Sequence, residues 1–279
     1  MSRFRPDFPF DRLLQRVSRS FYLTLRLLPG EVRGILSLAY LLARASDTIA
    51  DTCAAPVATR NALLRGLPDV WPASLSAPGA EGELLATLPD LLTAWKSSPD
   101  REEIGAVWRT ILEGQIFDLE RFGGMAPTPL TPEELDRYTY LVAGCVGEFW
   151  TNICFKHINN YSSSDPETMR RFGKTFGQGL QLVNILRDRH ADASLGRIYI
   201  PPERFATEME TARTSLAAGG SYASAIRSRR LRAACVLPLQ LGRSTLELVA
   251  RNPEKKRVKV PRHRVWIAWV CALARPASG

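Results

Sequence analysis

The stretch Tyr40-Leu41-Leu42-Ala43-Arg44-Ala45-Ser46-Asp47-Thr48-Ile49-Ala50-Asp51 decides the fold. Tyr40, Arg44, Asp47 and Asp51 fall at i, i+4, i+7 and i+11, which is one face of one helix. Around them the residues are apolar: Ile35, Leu36, Leu38, Ala39, Leu41, Leu42, Ala43, Ala45, Ile49 and Ala50. A second stretch, Gln181 to Asp192, repeats the design with Gln181, Asn184, Asp188 and Asp192 at i, i+3, i+7 and i+11, among Phe176, Leu180, Leu182, Val183, Ile185 and Leu186. A helix that is apolar nearly all round is a buried helix. Its carboxylates are then expected to face an interior cavity, where bare charge is very unfavourable unless something compensates it. Two such stripes facing one cavity imply divalent cations and a ligand that needs them.

Outward from these two stretches, helical periodicity continues and no alternating β-branched run appears. The pattern predicts helices over Phe10–Arg26, Glu31–Asp51, Gly82–Ser97, Arg101–Phe122, Thr131–Asn159, Asp165–Asp192, Ser221–Arg251 and Pro261–Arg275. Thr131-Pro132-Glu133-Glu134 and Asp165-Pro166-Glu167 read as helix starts: a capping side chain, proline in the first turn, then acidic residues. Gly66–Gly82, rich in Pro, Ser and Ala, reads as a surface loop, and Gly196–Pro202 as a short extended segment. No composition shift divides the chain. The expectation is a single all-α domain over residues 1–279, a helical bundle around a central cavity.

The balance of charge narrows the partners. Of the 279 residues 37 are Lys or Arg and 28 Asp or Glu, a net charge of +9, which favours acidic partners. Much of the excess lies late, in Arg227, Arg229, Arg230 and Arg232 and in Lys255–Arg264; a solvated face is the simplest reading of it. No helix-turn-helix, zinc-finger or RNP pattern accompanies it, so nucleic acid is not an expected partner. Three histidines, His157, His190 and His263, are too scattered for a zinc site of the usual kind. The five cysteines, at 53, 145, 154, 235 and 271, form no CxxC pair and read as free thiols in a reducing compartment. Met1–Asp11 lacks a signal-peptide core, and the apolar run Val265–Ala274 is too short to span a bilayer. A cytoplasmic protein is expected, a monomer or weak homodimer, with peripheral membrane contact as the alternative state.

Magnesium suits the stripes better than zinc or iron does. It prefers oxygen ligands, keeps several waters and bridges a few carboxylates to substrate phosphates. Asp47, Asp51, Asp188 and Asp192 are the candidate ligands. Arg19, Arg44 and Arg187 add guanidinium forks that match phosphate oxygens. Ala143, Gly144 and Gly147 leave helix surface bare for a long apolar chain, or else permit tight helix packing. A single DxxxD is a weak signal; two, each extended upstream by polar residues in phase, are far harder to obtain by accident. Arg44 also has the simpler role of an ion pair with Asp47 or Asp51. Gln181 and Asn184 have that of a buried amide network between helices.

Five segments in order resemble the squalene/phytoene synthase family: Ser18-Arg19-Ser20-Phe21; Tyr40-x-x-x-Arg44-x-x-Asp47-x-x-x-Asp51; Tyr138 to Gly147; Gln181-x-x-Asn184-x-x-Arg187-Asp188-x-x-x-Asp192; and Gly196-Arg197-Ile198-Tyr199-Ile200-Pro201. The resemblance implies an all-helical isoprenoid-synthase fold and head-to-head coupling of two prenyl diphosphates. Two farnesyl diphosphates would give presqualene diphosphate and then, with NADPH reduction, squalene; without reduction the product would be dehydrosqualene or phytoene. It implies that Asp47, Asp51, Asp188 and Asp192 hold Mg2+, and that Ser18, Arg19, Ser20, Arg44 and Arg187 bind diphosphate. Tyr40, Arg44, Gln181 and Asn184 would act at the reacting centre, and Phe21, Tyr140, Leu141, Ala143, Gly144 and Gly147 would line the tail pocket. An inert scaffold is the reading from another class, and the presence of all four aspartates speaks against it. The chain departs from many relatives at Ala50 and Ala191, where those carry Glu, and at Leu141, where squalene synthases often carry Tyr. No GxGxxG fingerprint marks an NADPH site.

Overall fold

The computed structural model describes residues 8–18, 21–51, 55–67, 69, 75–123, 128–255, 258 and 260–261. By contacts between Cα atoms the chain divides into two compact units, Met1–Gly124 and Met125–Gly279. The described residues contain no strand; a lone β-bridge joins Ser162 and Ile226.

The first unit holds α1 (Asp11–Val17), α2 (Phe21–Leu27), α3 (Gly30–Asp51), α4 (Val57–Gly66), α5 (Gly79–Lys96) and α6 (Arg101–Phe122). Its centre is α3, against which α1, α2, α4, α5 and α6 all pack. Leu36, Leu41, Leu42, Ala45 and Ile49 of α3 meet a core that includes Leu84, Leu88, Ile104 and Trp108. The Trp108 indole donates to Ser46 Oγ at 3.3 Å, which gives its one polar atom a partner inside that core. The single helix expected over Phe10–Arg26 is two helices. Ser18 closes α1 by turning its hydroxyl back onto the Leu14 carbonyl, a local bond that competes with helix continuation. In contrast, α6 has the bounds expected of it.

The second unit holds α7 (Pro132–Thr139), a π-helical turn (Tyr140–Gly144), α8 (Cys145–His157), α9 (Pro166–Ser194), a 3-10 turn (Pro202–Arg204), α10 (Phe205–Ala225) and α11 (Arg229–Arg251). Here α9 is the centre, packed by α7, the π turn, α8, α10 and α11. Both helix starts read from the sequence are present. Thr131 Oγ1 accepts from the Glu134 amide at 3.2 Å while Glu134 Oε2 accepts from the Thr131 amide at 2.9 Å, a capping box. Asp165 Oδ1 accepts from the Thr168 amide at 2.9 Å. The helix expected over Thr131–Asn159 is interrupted by the π turn, where the Cys145 amide reaches the Tyr140 carbonyl. The helix expected over Ser221–Arg251 is the last part of α10, a break at Ile226–Ser228, and α11. The rest of α10, from Phe205, was not expected, yet it packs extensively on α9, and a Cβ at Gly219 would fall 2.3 Å from the Phe176 ring.

Cys145, Cys154 and Cys235 are buried free thiols. Burial pushes the Cys145 and Cys154 thiols up to about 12 and raises Cys235 well above the ordinary thiol range, which favours the protonated form. Cys53, Cys271, His263, the helix expected over Pro261–Arg275 and most of the basic Lys255–Arg264 segment lie outside the described residues.

Candidate functional site

Each aspartate motif lies on the central helix of its own unit, on the face that the unit leaves open. On α3, Tyr40, Arg44 and Asp47 are half-buried and Asp51 is exposed. On α9, Gln181, Asp188 and Asp192 are half-buried and Asn184 is exposed. The stripes are therefore accessible side-chain rows and not part of the packed core. The apolar flanks do what was expected of them and make the core contacts, which leaves the polar phase as the remaining face.

In both motifs the first aspartate is gripped by a neighbouring arginine. Arg44 Nη1 donates to Asp47 Oδ2 across one helical turn. Arg187 forks onto Asp188, Nε to Oδ1 at 3.1 Å and Nη2 to Oδ2 at 2.5 Å. Asp47 keeps 41% of its side-chain surface accessible, yet burial is the first cause that raises its carboxyl, to about 6. The Asp51 carboxylate adds to the rise and Arg44 opposes it. An accessible carboxylate that is poorly solvated and faces a second carboxylate is stabilised by any cation brought to it.

The second aspartate of each motif stands at the wrong end of its helix for an anion. Asp51 is the last residue of α3, and Asp192 is in the last turn of α9. Neither last turn carries a basic residue. The C-terminal end of a helix carries partial negative charge, which favours cations and disfavours carboxylates. Part of that charge is met by other donors: Arg60 Nη1 donates to the Ala50 carbonyl, and the Leu195 and Arg197 amides donate to the Asp192 carbonyl, each at 2.9 Å. The donor set of each motif, two carboxylates one turn apart at a negative helix end, fits a hard divalent cation that retains water. Among the described residues no group of three or more His, Cys, Asp or Glu is placed to hold a metal ion.

The other candidates are placed as follows. Phe21 and Tyr40 stack with ring centroids 5.2 Å apart, joining α2 to the start of the α3 stripe. Ser18 is buried, with its hydroxyl proton committed to the Leu14 carbonyl. Arg19 and Ser20 lie outside the described residues. The Asn184 amide reaches Gln181 Oε1 at 3.5 Å on the same helix, a weak contact and not a buried network between helices. Tyr140 donates to Glu148 Oε2 at 3.1 Å and lies under the Lys174 ammonium, 4.9 Å from the ring centroid. Burial first, then the Glu148 carboxylate, pushes its phenol up to about 12. Leu141 is buried, and its carbonyl accepts from Cys145 Sγ at 3.0 Å.

The bare helix surface at Ala143, Gly144 and Gly147 has a different occupant from the one proposed first. A Cβ at Gly147 would come within 2.0 Å of the Gly173 carbonyl oxygen, and one at Gly177 within 2.3 Å of the Ala143 carbonyl oxygen. The Gly144 position meets Gln178 and Tyr140 carbons at 3.0 Å. Backbone of α9 fills the space at Gly147, so close helix packing is what this glycine serves.

One residue at the first motif was not foreseen. Arg44 Nη2 donates to Glu81 Oε1, 37 residues away in the first turn of α5. Glu81 fell in what read as a loop, since Gly79 and Gly82 punctuate it; the helix begins three residues earlier than predicted. An acidic residue just after a proline and glycine was the available signal, and it named no partner.

Comparison with known proteins follows the same lines. A bifunctional lycopene cyclase/phytoene synthase of Phaeosphaeria nodorum is 31% identical over 193 residues, 67% of this chain and 33% of that protein. A squalene synthase of Yarrowia lipolytica is 27% identical over 292 residues, 89% of this chain and 63% of that protein. The chain thus spans about a third of the length of the bifunctional relatives it matches. Among solved structures, ligand-bound TcSQS superposes with a TM-score of 0.78 at 22% identity, covering 96% of this chain and 86% of the other. A dehydrosqualene synthase in complex with ligand gives 0.65 at 19%, covering 95% and 94%. At those identities the superpositions speak to the all-α fold. A family model for squalene/phytoene synthase matches residues 14–209, both aspartate motifs included, and the chain belongs to that family.

Proposed function

We propose that the protein is a magnesium-dependent prenyltransferase that condenses two farnesyl diphosphates head to head, through presqualene diphosphate, to squalene with reduction by NADPH. The observation that carries the reading is the repeated arrangement of the motifs: an arginine on the first aspartate and a second aspartate at a negative helix end, once on α3 and once on α9. In this reading Asp47, Asp51, Asp188 and Asp192 hold Mg2+, which acts as the Lewis acid for the departing diphosphate. Arg44 and Arg187 then have a second use. Each is half-buried and each is held at the motif by an aspartate, so an anionic ligand that draws the guanidinium away finds it already in place. Guanidinium forks suit phosphate oxygens, and Arg19 and Ser20 are proposed to extend that anion site, while Ser18, whose hydroxyl and amide both donate to the Leu14 carbonyl, closes α1 instead.

Tyr40, Gln181 and Asn184 project from the same helical faces as the aspartates and are assigned to the reacting centre. The stacked Phe21–Tyr40 pair presents aromatic surface beside the anion-binding end of the stripe, suited to a prenyl chain and to positive charge developing on it. Phe21, Tyr140 and Leu141 remain assigned to the tail pocket; Ala143, Gly144 and Gly147 are given up to the packing of α9. The carbon chemistry balances as follows. Ionisation of one farnesyl diphosphate releases pyrophosphate, and the double bond of the second attacks the allylic cation. A proton leaves to give the cyclopropyl intermediate. A second pyrophosphate then departs, and the rearranged cation would be quenched by the hydride that NADPH supplies when bound. NADPH is proposed on the resemblance to squalene synthases.

Incubation of the full chain with labelled farnesyl diphosphate and Mg2+, with and without NADPH, tests the reading. Squalene is expected only with NADPH. Dehydrosqualene in both incubations would place the protein with non-reducing relatives. Turnover of geranylgeranyl diphosphate alone would replace the squalene reading with a phytoene one.

A further inference from the structure

Arg44 differs from Arg187 in having two carboxylate anchors. Its Nη1 arm meets Asp47 and its Nη2 arm meets Glu81, and all three side chains are partly buried, with 22% of Arg44 and 23% of Glu81 accessible. The Glu81 contact ties the first aspartate motif of α3 to the start of α5, helices that pack on each other within one unit. The backbone that presents Glu81 is narrowly specified. Gly79 has a φ of +62°, in the left-handed region that favours glycine, and a Cβ at Gly82 would lie 2.1 Å from the Ala77 carbonyl oxygen. The N-cap Pro78 supplies no capping side chain, and Glu81 in the first turn complements the positive end of α5. Glu83, one turn-edge away, pairs with Arg16 instead.

We propose that Glu81 is a positioning residue for diphosphate binding, acting through Arg44. This rests on the assignment of Arg44 to the diphosphate site. A guanidinium held only by Asp47 would be carried off or left unsupported whenever that carboxylate takes another partner. With Nη2 tethered at Glu81, the Nη1 side stays in register and is available to a phosphate oxygen. Charge-assisted hydrogen bonds of this kind are stronger and more directional than neutral ones, so loss of the tether lowers affinity for the anion although it removes a negative charge. A carboxylate that merely stood near the site would act in the opposite sense: its removal would tighten anion binding.

The sign decides between them. Magnesium pyrophosphate binding to the full chain, measured by titration calorimetry at saturating Mg2+, is expected to weaken about tenfold in Glu81→Gln, the loss of roughly one charge-assisted bond. The KM for farnesyl diphosphate is expected to rise in parallel while kcat changes less than about threefold, as for lost binding that is uniform between ground and transition state. In an Arg44→Ala background Glu81→Gln gives no further weakening. Circular dichroism reports whether each variant retains its helices, and the isosteric Gln preserves packing at this partly exposed position. Unchanged or tighter pyrophosphate binding in Glu81→Gln overturns the proposal, as does equal weakening in both backgrounds. Failure of the unsubstituted protein to bind magnesium pyrophosphate overturns the diphosphate-site reading itself, and the role of Glu81 with it.

Discussion

At the scale of single residues, Asp47 concentrates the argument. Its carboxyl is raised from 3.8 to about 6, by burial and by Asp51, against the pull of Arg44. The folded chain then holds this proton more tightly than the unfolded chain between about pH 4 and 6. Stability without divalent cations therefore falls as pH rises through that window and levels off above it. Asp47→Asn is expected to flatten this slope in thermal melts and to gain under about 1 kcal/mol at pH 7.5, the exposed part of the side chain screening the remainder. The same substitution, like Asp188→Asn, is expected to reduce turnover by about a hundredfold or more while the helical spectrum persists, because the proposed Mg2+ site would lose an anionic ligand. Unchanged kinetics in both variants would remove the aspartates from the site. Greater stability with lower activity in one substitution is what a functional carboxylate, as opposed to a structural one, should give.

At the scale of elements, the packing of α9 on α8 and the π turn sets the stricter test. Gly173 and Gly177 face Gly147 and Ala143 so closely that side chains would displace backbone. Gly147→Ala is expected to destabilise the fold by about 1–3 kcal/mol, measured by chemical denaturation, since neither helix can yield without shifting its neighbours. Gly34, in α3, has nothing within 4 Å of a built Cβ. Gly34→Ala is expected to stabilise by about 0.5–1 kcal/mol through helix propensity alone. A comparable loss at both positions would mean that backbone freedom, not close approach, explains these glycines. The π turn at Tyr140–Gly144 lies in the same packing region and shifts the phase of α8 relative to α7 by one residue. Sequence periodicity ran straight through it, because an inserted residue does not alter which residues are apolar.

At the scale of the molecule, two units each built around one long helix carry one motif apiece, and the family match runs across both. Among the described residues no helix is long and apolar enough to cross a membrane. The net charge of +9 nevertheless favours anionic surfaces. Co-sedimentation with anionic phospholipid vesicles is expected at low salt and is expected to be lost at high salt, where screening shortens to a few ångströms. Binding to neutral vesicles that ignores salt would point instead to apolar insertion.

The sequence by itself determined the helical class, the starts of α7 and α9, the bounds of α6, and the phase that puts each aspartate pair on one face. These are local matters, governed by periodicity, capping and composition within a few turns. Only the tertiary structure decided that Arg44 reaches Glu81, that backbone of α9 fills the surface at Gly147, that the stretch after Phe205 is a helix, and that Asp47 is poorly solvated while still accessible. Each of these depends on what lies across from a residue. Solvation and close approach are set by neighbours tens of positions away, and the spacing of residues along the chain does not record them.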